Sequence, residues 1–381
     1  MNARTIRNTA FHLHRWLGLI GGTLLCIAGL TGSVLVFWHE IDRIVLAQRF
    51  GRIIPAKERV SIHAIADTVK TAYASKNLTL GGVSLPEHAD QPYQVWLNDV
   101  ADRVWYVFVN PYTGQVMGAR QWETSWIGSI YSLHYNLLAG DIGEWIMGIV
   151  ALLTLILSIT GIILWPGWRK LIAGFKIKWQ KAHIKRTNFD IHKVAGIITA
   201  VFLAFIGFTG FAWNIPQAKV TDIIYAATLT PKPAEPVSKQ ISLQQPLAIK
   251  DLLQRADAAV PNATTTYVSF ANKQEEPFQV GKKQAQETGQ YGRTQVYLDQ
   301  FTGKVIQIND GVKPSRAEAI LNQFGSVHFG TFGGRLTQVL YVFVGLAPTV
   351  LMVTGVVMWW YRRRVKVPTQ PEVNVATEVK W

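Results

Sequence analysis

The sequence predicts an α-helical polytopic membrane protein with four transmembrane helices, two exported α+β domains and an internal tandem repeat. Three observations lead there. Four apolar runs, Trp16–Trp38, Ile142–Trp165, Val194–Ile215 and Leu336–Trp360, each exceed the roughly 18 residues that a bilayer crossing needs. The stretches between the first and second runs and between the third and fourth are each long enough for a small folded domain. The first half of the chain also aligns on the second.

In chain order the elements are an N-terminus with the first span (1–38), an exported domain (39–126), an interfacial segment with the second span (127–165), a basic loop (166–193), the third span (194–215), a second exported domain (216–315), an interfacial segment with the fourth span (316–360) and a tail (361–381). Of 38 basic residues, 16 fall in the N-terminus, the loop and the tail, against three of the 24 acids. Short cytoplasmic segments collect lysine and arginine, so both termini are predicted cytoplasmic and both large domains periplasmic, in a bacterial inner membrane. A basic excess confined to these segments suits topology and contact with anionic membrane lipid, and excludes a nucleic-acid partner. Cys26 lies within the first span, leaving the exported domains no disulfide. A basic start, about 22 apolar residues and no small-residue cleavage site predict an uncleaved signal-anchor.

The first span, "HRWLGLIGGTLLCIAGLTG", aligns without gaps on the third, "HKVAGIITAVFLAFIGFTG", pairing His14 with His192, Arg15 with Lys193, Gly18 with Gly196 and Thr31-Gly32 with Thr209-Gly210. The second and fourth spans pair His134 with His328, Thr160-Gly161 with Thr354-Gly355 and Trp165 with Trp359. Two such registers mark a duplication of span, domain and span. Within each domain an amphipathic stretch, "SIHAIADTVKTAYA" or "PLAIKDLLQRADAAV", precedes a hairpin, "VWYVFVNPYTGQVMG" or "RTQVYLDQFTGKVIQ", whose Thr-Gly turn joins two strands. The segment "TPKPAEPVS" reads as an extended linker. Small residues in the spans mark close helix packing, with room for a flat cofactor beside some glycines as the alternative.

Four of the nine histidines form the repeat-related pairs His14/His192 and His134/His328. A single histidine near a membrane edge reads most simply as interfacial. Four in symmetric positions point further, because ionisable groups close to a bilayer are costly and functional. Two imidazoles from two helices can hold a haem iron axially, and no carboxylate or cysteine cluster accompanies them to suit zinc or a di-iron centre. The expected cofactors are therefore two haem b, one near each membrane face. His12, His39, His63, His88 and His183 carry weaker cases, and His39 faces Gln217 in the repeat alignment. Arg15 and Lys193, each beside a histidine, are candidate partners for the haem carboxylates, with simple positive-inside anchoring as the alternative.

The openings "HRWLG" and "HKVAG", the domain ends "NPYTGQV" and "DQFTGKV", and the entries "SLHY" and "SVHFG" resemble the PepSY-associated transmembrane-helix family over nearly the whole length. That resemblance implies PepSY-like exported domains and a place among iron-uptake functions, as a haem-dependent ferric-siderophore reductase. The expected partners are a ferric siderophore, docking between the two domains near Trp96, Trp105, Tyr106, Trp122, Trp126 and Tyr131, most of which read alternatively as core or membrane-belt residues, and an electron donor, quinol or a separate reductase. No Gly-rich nucleotide fingerprint occurs that would let the chain bind its own flavin or nicotinamide. The alternatives are a non-enzymatic membrane protein whose domains bind peptides or a partner, and a siderophore permease, which lacks support from interrupted spans.

Overall fold

The computed structural model describes residues 2–179, 184–214, 217–239, 245–289 and 291–364; His183 and the tail from 365, with Lys366 and Lys380, lie outside the described residues. The chain divides into two units. One gathers Met1–Ser33, Gly148–Phe211 and Val339–Trp381, the other Val34–Met147 and Ala212–Gln338.

The first unit is built on helices long and apolar enough to cross a bilayer: α1 (Ala3–Leu35), α5 (Gly140–Leu164), α7 (Ile184–Asn214) and α11 (Gly334–Arg364). Helix α1 begins well before Trp16 and α7 well before Val194, because the polar segments "ARTIRNTAFHLH" and "IKRTNFDIHK" contain neither Gly nor Pro to stop a helix. His14 and His192 therefore sit inside helices, not at their starts. Packing follows the repeat. A Cβ added to Gly29 of α1 would run into the Gly345 carbonyl of α11, and one on Gly207 of α7 would lie 2.7 Å from the Ala151 carbonyl of α5; Gly29/Gly207 and Gly345/Ala151 are repeat equivalents. These glycines are packing faces, where backbones approach closely. After α5, the short α6 (Leu171–Phe175) brings Phe175 to 5.1 Å from the Trp165 ring.

The second unit is an antiparallel sheet with helices. Its first half holds α2 (Trp38–Phe50), α3 (Ile62–Ala72), β1 (Thr79–Ser84), β2 (Tyr93–Asn98), β3 (Val104–Val109), β4 (Val116–Gln121) and α4 (Trp126–Asn136). Its second holds α8 (Gln217–Ala227), α9 (Ile249–Ala259), β5 (Thr264–Ser269), β6 (Phe278–Lys283), β7 (Thr294–Leu298), β8 (Val305–Asn309) and α10 (Arg316–His328). Alternating residues face inward, so Val83, Val95 and Val107 meet Ile65 and Val69 of α3, while Val268, Val280 and Val296 meet Leu252 and Ala256 of α9. Both hairpin turns fold alike. The side chain of Asn110 accepts from the amides of Tyr112 and Thr113, that of Asp299 from Phe301 and Thr302, and Gly114 and Gly303 adopt φ of +71° and +67°, a region that disfavours a Cβ. Even the bulges recur at equivalent places, Leu80/Gly82 with Thr265/Tyr267 and Phe108/Val109 with Tyr297/Leu298.

The two domains are not separate bodies flanking a cleft. They form one eight-stranded sheet in the order β4-β3-β2-β1-β5-β6-β7-β8, joined where Val83 pairs with Val268. The seam at which a substrate was expected to dock is continuous sheet. On the far face of the first half, α2 is pinned by a buried bidentate pair, Arg120 to Asp42 at 2.5 and 2.7 Å, and by Phe50 against Phe108. The second half has Asn309 where Arg120 stands and Val220 where Asp42 stands, so this clamp exists once.

Candidate functional site

Helices α1 and α7 bring His14 and His192 together, with ring centroids 6.2 Å apart and planes at 84°. Each Nδ1 meets a threonine hydroxyl on the next helix: His14 to Thr160 of α5 at 2.9 Å, His192 to Thr354 of α11 at 2.8 Å. A cavity of about 530 Å³ opens beside the rings, and Gly18, Gly22, Gly161, Gly196 and Gly355 line it. A Cβ at Gly18 would meet only Leu157, at 3.8 Å, and one at Gly196 only Leu351, at 3.6 Å. Gly18 and Gly196 hold open space, unlike Gly29 and Gly207.

A second pair forms in the sheet unit. His134, in the last turn of α4, and His328, the last residue of α10, have ring centroids 6.3 Å apart and planes at 74°. Trp213 packs on His328 at 5.0 Å and Phe329 at 5.6 Å. The turn after His134 is strained, since Leu137 and Leu138 both take left-handed backbone, with φ of +54° and +58°, at a cost of about 1–2 kcal/mol per residue. Burial, then the nearby Glu144 carboxylate, raises the neighbouring Tyr135 phenol far above its ordinary range, keeping it neutral beside the pair.

Two imidazole nitrogens bound to one metal at about 2.0–2.1 Å each, plus the radius of each ring, put the centroids roughly 6 Å apart. Both pairs meet that separation. Neither gathers more donors, for among the described residues no three His, Cys, Asp or Glu cluster as a metal site. Two axial nitrogens are what a haem iron takes from a protein, and the cavity beside the first pair falls within the roughly 300–1,000 Å³ of small-molecule sites. The residues present fit a haem at the first pair, and the second pair repeats the axial geometry.

Arg15 and Lys193 part company. Arg15 lines the cavity with its Nε buried and without a hydrogen-bond partner, and its guanidinium lies 4.6 Å from the Trp16 ring centre. Lys193 donates to Asp190 at 2.7 Å and to the carbonyls of Ala173 and Lys176 at 3.0 Å each; three hydrogens are all an ammonium has. Lys193 lines the same cavity, with its ammonium engaged in anchoring the loop around α6. Asp190 stands where the first repeat has His12, which is why Arg15 has no acid one turn before it. Arg7, which sequence reasoning passed over as an anchor, also lines the cavity and donates to the Leu164 carbonyl at 3.1 Å. Arg15→Gln should therefore lower the midpoint potential of a haem held there, because less positive charge nearby favours ferric iron. Lys193→Gln should leave the buried Asp190 carboxylate with Arg186, 3.3 Å away, as its remaining cation, and speed proteolysis around residues 171–178. Redox titration and limited digestion of both variants check this; a Lys193→Gln protein with an intact loop and a shifted potential would reverse the assignment.

The remaining sequence-predicted residues lie elsewhere. His12, His63 and His88 are exposed. His39 lies against Trp38, and burial holds its imidazole below the ordinary histidine range despite Glu40, Asp42 and Glu87. Trp122 is a packing hub between Tyr106, Tyr131 and Trp38, and Trp96 covers Gly81 and Gly82. Thr160 and Thr354 were visible only as halves of Thr-Gly pairs that read as packing. No curated protein matches the chain. A family model described as PepSY-associated TM region matches residues 11–362, a stretch that includes both histidine pairs and the whole sheet, and the chain belongs to that family.

Proposed function

We propose that the protein is a two-haem reductase of the bacterial inner membrane that passes electrons across it to a ferric siderophore on the exported side. The observation that carries this reading is the pair of repeat-related imidazole couples at 6.2 and 6.3 Å. A bound haem supplies a site that gains and loses one electron at a time. His14 and His192 would hold one from two different helices, Arg15 and Arg7 would offer positive charge to its carboxylates, and Gly18 and Gly196 would leave room for it. His134 and His328 hold the other, walled by Trp213 and Phe329. The basic segments 1–15 and 166–193 favour the cytoplasmic side for the first pair, where quinol or a separate reductase would donate. One electron converts the ferric complex to ferrous, and the hard oxygen ligands that grip Fe(III) release Fe(II).

The test is purification of the full chain in mild detergent with haem quantified as its pyridine complex. Two b-type haems per chain, reoxidised by a ferric siderophore while a ferrous chelator captures iron, is the expected result. Protein that stays colourless after titration with haemin would overturn it in favour of a peptide- or partner-binding role, and haem that no ferric siderophore reoxidises would confine the function to electron transfer.

A further inference from the structure

We propose that Thr160 and Thr354 decide which nitrogen of His14 and His192 is offered to a ligand: they hold both rings as the Nδ1–H tautomer and leave Nε2 as the donor. Hydrogen positions follow from the heavy atoms. Thr160 Oγ1 lies 2.7 Å from the Ile156 carbonyl and 3.1 Å from that of Leu157, and Thr354 Oγ1 lies 2.7 Å from Val350 and 3.1 Å from Leu351. A hydroxyl has one hydrogen. If it pointed at the imidazole, two oxygen lone pairs would face each other at 2.7 Å with nothing between them. The hydrogen therefore goes to the carbonyl, the oxygen accepts, and the Nδ1 atoms at 2.9 and 2.8 Å must carry protons. The lone pair is then on Nε2 in both rings.

Back-bonding alone is ordinary for threonine in a helix: Thr154 and Thr199 do it too, with no imidazole at their hydroxyls. What sets Thr160 and Thr354 apart is the histidine. The glycine after each completes the unit, because a Cβ at Gly161 would come within 3.3 Å of His14 Cε1 and one at Gly355 within 3.7 Å of His192 Cε1. The same His, Thr and Gly arrangement arises twice, from Thr-Gly dipeptides 194 positions apart and histidines 178 apart. The Thr-Gly dipeptides of α5 and α11 thus act as positioning residues for histidines on α1 and α7.

The proposal takes its purpose from the haem reading, but its geometry stands without it, and the experiment separates the two. Selectively ¹⁵N-labelled histidine in the haem-free full chain reports the tautomer directly: Nδ1–H at His14 and His192 is expected, and Nε2–H at either overturns the proposal whether or not haem binds. In the haem-loaded protein, Thr160→Val and Thr354→Val remove the hydroxyl acceptor at nearly constant volume and leave only the Leu157 and Leu351 carbonyls beside the rings. The affinity of the first site should fall about ten- to hundredfold, as when an outer-shell partner is removed. Its potential should rise, since an imidazole without that bond is a poorer donor to ferric iron, while the second site keeps its potential. Serine in place of either threonine should restore both. Valine variants that match the parent, or serine variants as impaired as valine, would sink the idea. Protein that shows Nδ1–H yet takes no haem would sink the haem reading and leave the tautomer assignment standing.

Discussion

Alanine at His134 or at His328 should each reduce the haem content from two per chain to one, and the haem lost should be the same in both variants. The reason is the shared geometry: the two rings lie 6.3 Å apart, the separation that one iron between them calls for, so removing either proposed ligand should remove the site. Residues acting as one unit are not additive, and the double variant should lose no more than either single one. His14→Ala and His192→Ala should deplete the other haem by the same logic. The measurement is haem content with a redox titration resolved into two components. If His134→Ala and His328→Ala emptied different components, the pairing across the repeat would be wrong. Normal reduction of the remaining second-site haem by a cytoplasmic-side donor in His14→Ala would likewise rule out the proposed entry point.

The spans, both helix-plus-hairpin domains and the histidine partners were legible because each rests on local periodicity or on alignment of one half with the other. What the alignment could not carry is where the halves differ. Arg15 and Lys193 occupy equivalent positions and line one cavity, yet Asp190, three residues before Lys193, engages that lysine's ammonium, while His12 in the same place offers Arg15 no such partner. That was readable in principle, since residues three apart on a helix are neighbours. The junction of the sheet was not. Strand β1 reads "TLGGVS", a glycine-bearing edge whose partner β5 lies far along the chain, and pairing of two such edges leaves no periodic trace. Thr160 and Thr354 were hidden for the same reason, because their histidines lie 146 and 162 residues away in sequence.

Gly196→Leu should give a protein that folds and inserts but cannot hold a haem at the first site, whereas Gly29→Leu should fail to assemble. The contrast comes from what each position faces. At Gly196 an added Cβ meets only the end of the Leu351 side chain at 3.6 Å, and beyond it lies the cavity; at Gly29 it meets the Gly345 carbonyl oxygen, part of a backbone that cannot step aside. Leucine at Gly196 even favours the helix, being a far better helix former than glycine, so loss of fold is not the expected route to loss of cofactor. The branched side chain would instead enter the roughly 530 Å³ space beside His14 and His192, where a rigid macrocycle has no shape to yield. Gly18→Leu, its repeat counterpart facing Leu157 at 3.8 Å, should behave alike, and Gly196→Ala should lose less because one carbon protrudes less. Size-exclusion profile and thermal unfolding report assembly, and haem content resolved by redox titration reports the site. Full first-site occupancy in both leucine variants would mean that the glycines border empty membrane space, and the cofactor would have to be sought elsewhere on the same helices.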